Sequence, residues 1–113
     1  MSDAFAVLRS TRLPAGPEKD VQAAIADAFA NCGIAFEREV NLGDGDIIDF
    51  VVGDLGIEVK IKGSPRAILR QLRRYAAHSQ LSAIALVSSV AMGVPPAIGA
   101  KRLDIVSLGR AWL

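Results

Sequence analysis

The chain reads as an α/β domain, a mixed central sheet flanked by helices in the order αβββαβ with a further strand at the end. Three observations carry that reading. Val21, Ala24, Ile25, Ala28 and Phe29 recur at helical spacing. A group of β-rich runs comes next, and the stretch from Ser64 to His78 then restores the helical period. Beyond it, Ala83-Ile84-Ala85-Leu86-Val87 is a short apolar run of the kind that forms a strand covered on both faces.

Residues 1–16, closing on Leu13-Pro14-Ala15-Gly16, are expected as a tail holding at most a short strand. The first helix runs from Glu18 to about Cys32, with Pro17 suited to its opening turn and Gly33 placed as its stop. Phe36, Val40 and Leu42 alternate with Glu37, Glu39 and Asn41 as in a strand. Asn41 to Gly45 then turns the chain into a hairpin of Asp46–Val52 and Ile57–Lys62, joined through Gly53-Asp54-Leu55-Gly56. Ser64 and Pro65 open the second helix as cap and first residue. Gly93-Val94-Pro95-Pro96 breaks the chain before a last strand over Leu103–Leu108.

At 113 residues this is one domain, 1–113, long enough for a core without disulfides. Cys32 is the single cysteine, so neither a disulfide framework nor a cysteine-based zinc site is available, and a reducing cytoplasm is the expected location. Ala4 to Leu8 is too short for a signal-peptide core, and no segment approaches the length of a membrane span. The apolar fraction of 51% and mean hydropathy of +0.34 are high for a small soluble monomer. Either a homodimer interface or an Ala/Val-rich core meets them.

The hairpin holds the most informative residues. If it closes symmetrically, Val52 opposes Ile57, Phe50 opposes Val59, and Ile48 opposes Ile61 on one apolar face. Asp49 then opposes Lys60, and Val51 opposes Glu58, on the other. A slip of one residue would bury the charges and expose the apolar set, which favours this register. Asp49, Glu58 and Lys60 become neighbours. Taken alone, such a trio serves equally as the solvated face of an amphipathic hairpin or as a site that holds a divalent cation.

The company the trio keeps distinguishes the two. Asp49, then Glu58-Val59-Lys60 on the next strand, resembles the core of the PD-(D/E)xK nuclease superfamily. Glu18, opening the first helix, stands where many members carry a helical acid. Gln71-Leu72-Arg73-Arg74-Tyr75 is similar to the Q-x-x-x-Y element of the RecB-like branch. Small stand-alone members, such as the VRR-NUC domain and archaeal Holliday-junction resolvases, share the length and element order. The resemblance spans Glu18 to Val87, with Ile48 where the family usually places proline.

The resemblance implies a restriction-endonuclease-like fold and a metal-dependent endodeoxyribonuclease, releasing 5′-phosphates and 3′-hydroxyls from branched or single-stranded DNA. Asp49 and Glu58 would hold Mg²⁺ or Mn²⁺ with the Val59 carbonyl, and Glu18 would assist. Lys60 would orient the attacking water and stabilise the developing charge. Nothing in the residues distinguishes DNA from RNA. Sequence preference is expected from loops, a dimer or a partner protein. The alternative on the same fold is a catalytically inactive nucleic-acid-binding or subunit-assembly module.

Charge distribution points to an anionic partner although the net charge is only +1. No acid occurs from Val59 through Leu103, a stretch that holds Lys60, Lys62, Arg66, Arg70, Arg73, Arg74, Lys101 and Arg102. On the second helix Ile68, Leu72, Tyr75 and Ala76 form the core stripe, and the four arginines lie along an adjoining face. Lys62, these arginines, Gln71 and Tyr75 are the candidate nucleic-acid contacts, Tyr75 serving equally well as a core aromatic. Asp20 is a substitute for Glu18. Asp46 is expected to point away from Asp49, and His78 to complement a helix end rather than bind metal. Trp112 is expected to pack against the core or a second subunit.

Overall fold

Local signals set the order of elements. In the computed structural model, which describes residues 3–108, three helices and a six-stranded mixed sheet succeed one another. They are α1 (Asp3–Ser10), α2 (Glu18–Asn31), β1 (Glu37–Gly43), β2 (Asp46–Val52), β3 (Leu55–Lys60), α3 (Pro65–Ala76), β4 (Ala83–Ser88), β5 (Ala97–Ile98) and β6 (Lys101–Ser107). Trp112 lies outside the described residues. None of the described helices is long and apolar enough to cross a membrane.

Helix α1 replaces the expected tail. It buries Ala4 and Leu8, one turn apart, and carries Asp3 in its first turn and Arg9 in its last, both favourable to the helix dipole. Two apolar anchors in eight residues make too short a period to read from sequence. Helix α2 buries Val21, Ile25 and Phe29, and Gly33 ends it in the left-handed region at φ 71. Ser64 caps α3 by accepting the Ala67 N–H at 3.1 Å, with Pro65 next, and the helix buries Ile68, Leu72, Tyr75 and Ala76 as its pattern predicts.

The strands lie in the order β1-β2-β3-β4-β6-β5. β1, β2 and β3 form an antiparallel meander, β4 and β6 continue parallel to β3, and β5 returns antiparallel on β6. Two apolar clusters fill the two faces. One joins α1 and α2 to Phe50, Ile57, Val59, Ala85 and Val87, and the other joins α3 to Ile48, Val51, Ile84, Leu86 and Leu103. Ile47, at 52% exposure, is the large hydrophobic left at the surface among the described residues. The two clusters take up most of the large apolar side chains among the described residues.

The register of the β2–β3 hairpin differs from the symmetric closure expected around a four-residue turn. Val52 pairs with Leu55, Val51 with Gly56 and Phe50 with Ile57, so the loop is Gly53-Asp54 alone. Gly53 adopts φ 61 at the first central position, where a two-residue type II′ turn needs glycine. The correction is a shift of two residues, which leaves the β3 side chains on their expected faces and brings Asp49 level with Glu58 instead of Lys60.

A second departure lies one rung further on. Phe50 packs in the α2-side cluster and Ile48 in the α3-side cluster, although they are two residues apart in one strand. Across the β1–β2 ladder, Arg38 pairs with Phe50 and Val40 with Ile48. Val40 accompanies Ile48 to the α3 side. Strict alternation is therefore broken at Glu39 and Asp49, and Glu39 sits in the left-handed region at φ 51. The expected single apolar face holding both Ile48 and Phe50 does not form.

Gly56 permits the hairpin to lie against the α3-side core. A Cβ at this position would stand 2.7 Å from Ile48 Cδ1 and 2.9 Å from Leu81 Cδ1, both on buried side chains. Gly56→Ala is expected to cost about 1–3 kcal/mol through overpacking. Urea denaturation measures it, and a midpoint equal to wild type would mean that Ile48 and Leu81 yield freely.

Candidate active site where β2 and β3 diverge

The β2–β3 ladder stops at Phe50 and Ile57, and side chains take over from the backbone beyond it. The Asp49 N–H donates to Glu58 Oε1 at 3.2 Å, and the Val59 N–H donates to Asp49 Oδ2 at 2.8 Å. Each carboxylate thus satisfies a main-chain donor next to the other acid. This reciprocal bonding fixes both side chains between the strands. Lys60, the next residue on the Glu58 face, places Nζ 3.5 Å from Glu58 Oε2. Glu58 is 3% exposed, and the Lys60 side chain is 24% exposed, so the acid is recessed and the lysine lies toward solvent.

Helix α3 supplies the next layer. Tyr75 is buried and its Oη lies 3.0 Å from the Ile47 carbonyl and 3.3 Å from Glu58 Oε2. Gln71, one turn earlier, donates Nε2–H to the same Oη at 2.7 Å. Tyr75 therefore acts both as a core aromatic and as a site residue. Helix α2 contributes Gln22, whose side chain stands beside Asp49 and favours its ionised form, and whose Oε1 accepts from Arg38 Nη2 at 3.2 Å. Asp49 faces α2 through Gln22, and Glu58 faces α3 through Tyr75.

Burial dominates the electrostatics. Glu58 is pushed up to about 8 by desolvation and by the Asp49 charge, against the Asp49 N–H and Lys60. Desolvation also raises Asp49, against the Val59 N–H and Lys60. Burial and the neighbouring Glu58 charge raise Tyr75. A protonated Glu58 can donate to Tyr75 Oη while Tyr75 donates to the Ile47 carbonyl, so the network has a satisfied state with the proton in place.

Among the described residues no group of three or more His, Cys, Asp or Glu side chains stands close enough to hold a metal ion. Two adjacent carboxylates and a main-chain carbonyl are a hard-oxygen donor set of the size that Mg²⁺ uses when it keeps several waters. Asp49 and Glu58 supply the two carboxylates of such a set.

The other expected residues divide. Glu18 is half-buried in the first turn of α2, one turn before Gln22, and neither a hydrogen bond nor an ion pair joins it to Asp49, Glu58 or Lys60. Lys62, Arg66, Arg70 and Arg73 are exposed. Arg74 is occupied instead: its Nε bonds Asp46 Oδ1 at 3.2 Å. His78 donates Nε2–H to Asp46 Oδ2 at 2.8 Å, so one buried carboxylate ties the end of α3 to the start of β2. Sequence reasoning missed Gln22, Arg38 and the Asp46 pairing. Gln22 lies one helical turn after Glu18, a signal that was present. The Asp46 contacts span 28 and 32 residues and left none.

The two acids give pH dependences of opposite sign. Glu58 ionises at a higher pH in the folded chain than at its ordinary 4.5, so its contribution to stability is complete below that value and is lost as pH rises to about 8. Denaturation midpoints of the metal-free chain should fall across that window, and Glu58→Gln should flatten the fall. Asp46 is held below its ordinary 3.8 chiefly by the His78 hydrogen bond, against the effect of burial. Its contribution is present above that value and lost as pH falls below it. Acid unfolding of Asp46→Asn should accordingly lack that component of the acid limb, and an unchanged acid limb would contradict the pairing.

Comparison with protein-family models, with curated proteins and with solved structures finds no match to this chain.

Proposed function

We propose that this chain is a divalent-metal-dependent nuclease that hydrolyses DNA phosphodiester bonds on a restriction-endonuclease-like core, with branched or single-stranded DNA as its substrates. The observation that carries the reading is the recessed pair of Asp49 and Glu58, each bonded to the main chain beside the other, with Lys60 against Glu58. Two adjacent acids shielded from water destabilise a fold unless a proton or a cation sits between them. A solvated sheet face has no need of that arrangement.

Each residue then has a task. Asp49 and Glu58 hold the cation, with the Val59 carbonyl as a further donor. Bound Mg²⁺ or Mn²⁺ lowers the pKa of water and neutralises charge on the phosphoryl group. Lys60 directs its ammonium toward the same phosphoryl oxygens and positions the attacking water. Tyr75 and Gln71 hold Glu58 in one rotamer, and Gln22 does the same for Asp49. Lys62, Arg66, Arg70 and Arg73, exposed on the segment that leaves Lys60, bind phosphates of the strand. Arg74 is left out of that group because Asp46 engages it.

A cleavage panel of single-stranded, duplex, flap and four-way-junction DNA with Mg²⁺, Mn²⁺ or EDTA tests the proposal. Cleavage should need metal and fall by about 100-fold or more in Lys60→Ala. The thermal midpoint of that variant should match wild type, because the lysine is partly exposed and its ion pair is weak. A chain that cuts none of these DNAs with either metal, and binds neither, would overturn the reading.

A further inference from the structure

The trio has two flanks. On the α3 flank lie Lys62, Arg66, Arg70 and Arg73. The α2 flank is acidic, with Glu18 and Asp20 in the first turn of α2 and Glu37 and Glu39 on β1. Within it stands one guanidinium whose position is fixed from two sides. Arg38 lies over the Phe50 ring, Cζ 5.1 Å from the centroid, and donates from Nη2 to Gln22 Oε1. Arg38 also pairs across the β1–β2 ladder with Phe50, the residue after Asp49, which places it close to the carboxylate pair.

The chemistry of this contact leaves Arg38 able to bind an anion. Stacking uses the face of the guanidinium, and Gln22 takes a single N–H of the five that it carries. The ion pairs among the described residues involve Lys60, Arg74, His78 and Arg102, and none neutralises Arg38. The side chain is exposed. A cover for Phe50 alone would need neither the charge nor the bond to Gln22. A planar, oriented cation with free N–H edges suits bidentate contact with a phosphate.

We infer that Arg38 binds the phosphate next to the scissile one, so that a strand runs from Arg38 across Asp49, Glu58 and Lys60 to the arginines of α3. The site then takes an internal phosphodiester, held on both sides of the bond. This rests on the nuclease reading and adds to it the position of a second phosphate and the direction in which the strand crosses the sheet.

The experiment is binding of a single-stranded oligodeoxynucleotide, with Ca²⁺ in place of Mg²⁺, over a range of salt. Arg38→Met keeps an apolar cover on Phe50 and removes the charge. It should lower affinity about tenfold and reduce the salt slope by one phosphate, roughly 0.7, while Arg38→Lys keeps the slope. A merely structural arginine would weaken binding without moving the slope. One neutral methylphosphonate beside the scissile linkage is the second measurement, needed if Arg38→Met fails to fold. It should weaken wild type about tenfold, and substitution on either side without effect would overturn the inference. An unchanged slope in folded Arg38→Met overturns the role of Arg38 alone. Wild type that binds no oligonucleotide overturns the nuclease reading and Arg38 with it.

Discussion

A main-chain N–H buried without a partner costs as much as a lost hydrogen bond, and at the end of the β2–β3 ladder two of them need partners. The Asp49 N–H takes Glu58 Oε1, and the Val59 N–H takes Asp49 Oδ2. Most of the site depends on this exchange. It lets the strands part beyond Phe50 and Ile57 while keeping their polar groups satisfied. It also holds two carboxylates side by side in a place where water is scarce. Their raised proton affinity comes from unscreened charge that a proton relieves, and the proposed cation would relieve the same charge.

The exchange needs a distortion, which the first two strands supply. Were β2 strictly alternating, Ile48 would share a face with Phe50, and Asp49 would be committed to the opposite one. Instead both strands change face at the rung of Glu39 and Asp49. The left-handed backbone of Glu39, of a kind that costs about 1–3 kcal/mol, sits beside the acid it helps to place. Asp49 can then meet Gln22 on one side of the sheet while Glu58 meets Tyr75 on the other.

How much of the fold was legible in the sequence depends on the range of each interaction. Periodicity located α2, α3 and the strands from β1 to β4 because each signal lies within a few residues. The cap at Ser64 and the turn glycine at Gly53 are local as well, although choosing between a four-residue and a two-residue loop needed the packing of Gly56 on Ile48 and Leu81. The neighbourhood of Asp49, Glu58 and Lys60 survived the change of register because a shift of two keeps Glu58 and Lys60 on one face, and main-chain bonds join Asp49 to Glu58 although β2 changes face there. Side chains that reach the site across layers were not legible. Arg38, Asp46 and His78 are polar residues with no pattern of their own, and their partners are set by how helices pack on the sheet; Gln22, one turn after Glu18, had helical spacing alone to mark it.

Helix α3 shows why charge along a sequence is an incomplete guide to a binding surface. The acid-free stretch suggested one continuous set of cations. The fold divides it. At the carboxyl end Asp46 draws in Arg74 and His78, and Lys101 donates Nζ to the carbonyls of His78 and Leu81, so these cations anchor the helix to β2 and β6. Toward the amino end Arg66 and Arg70 remain exposed, near the point where the chain leaves Lys60. Tyr75 lies within the anchored end, between Arg74 and His78, with its ring in the core and its hydroxyl on Glu58. The anchored residues therefore set the position of the hydroxyl, and Arg66, Arg70 and Arg73, exposed and outside that anchor, are left free to meet an anion. A cation used to fix a helix is lost to a ligand, and the burial of Asp46 decides which arginine that is.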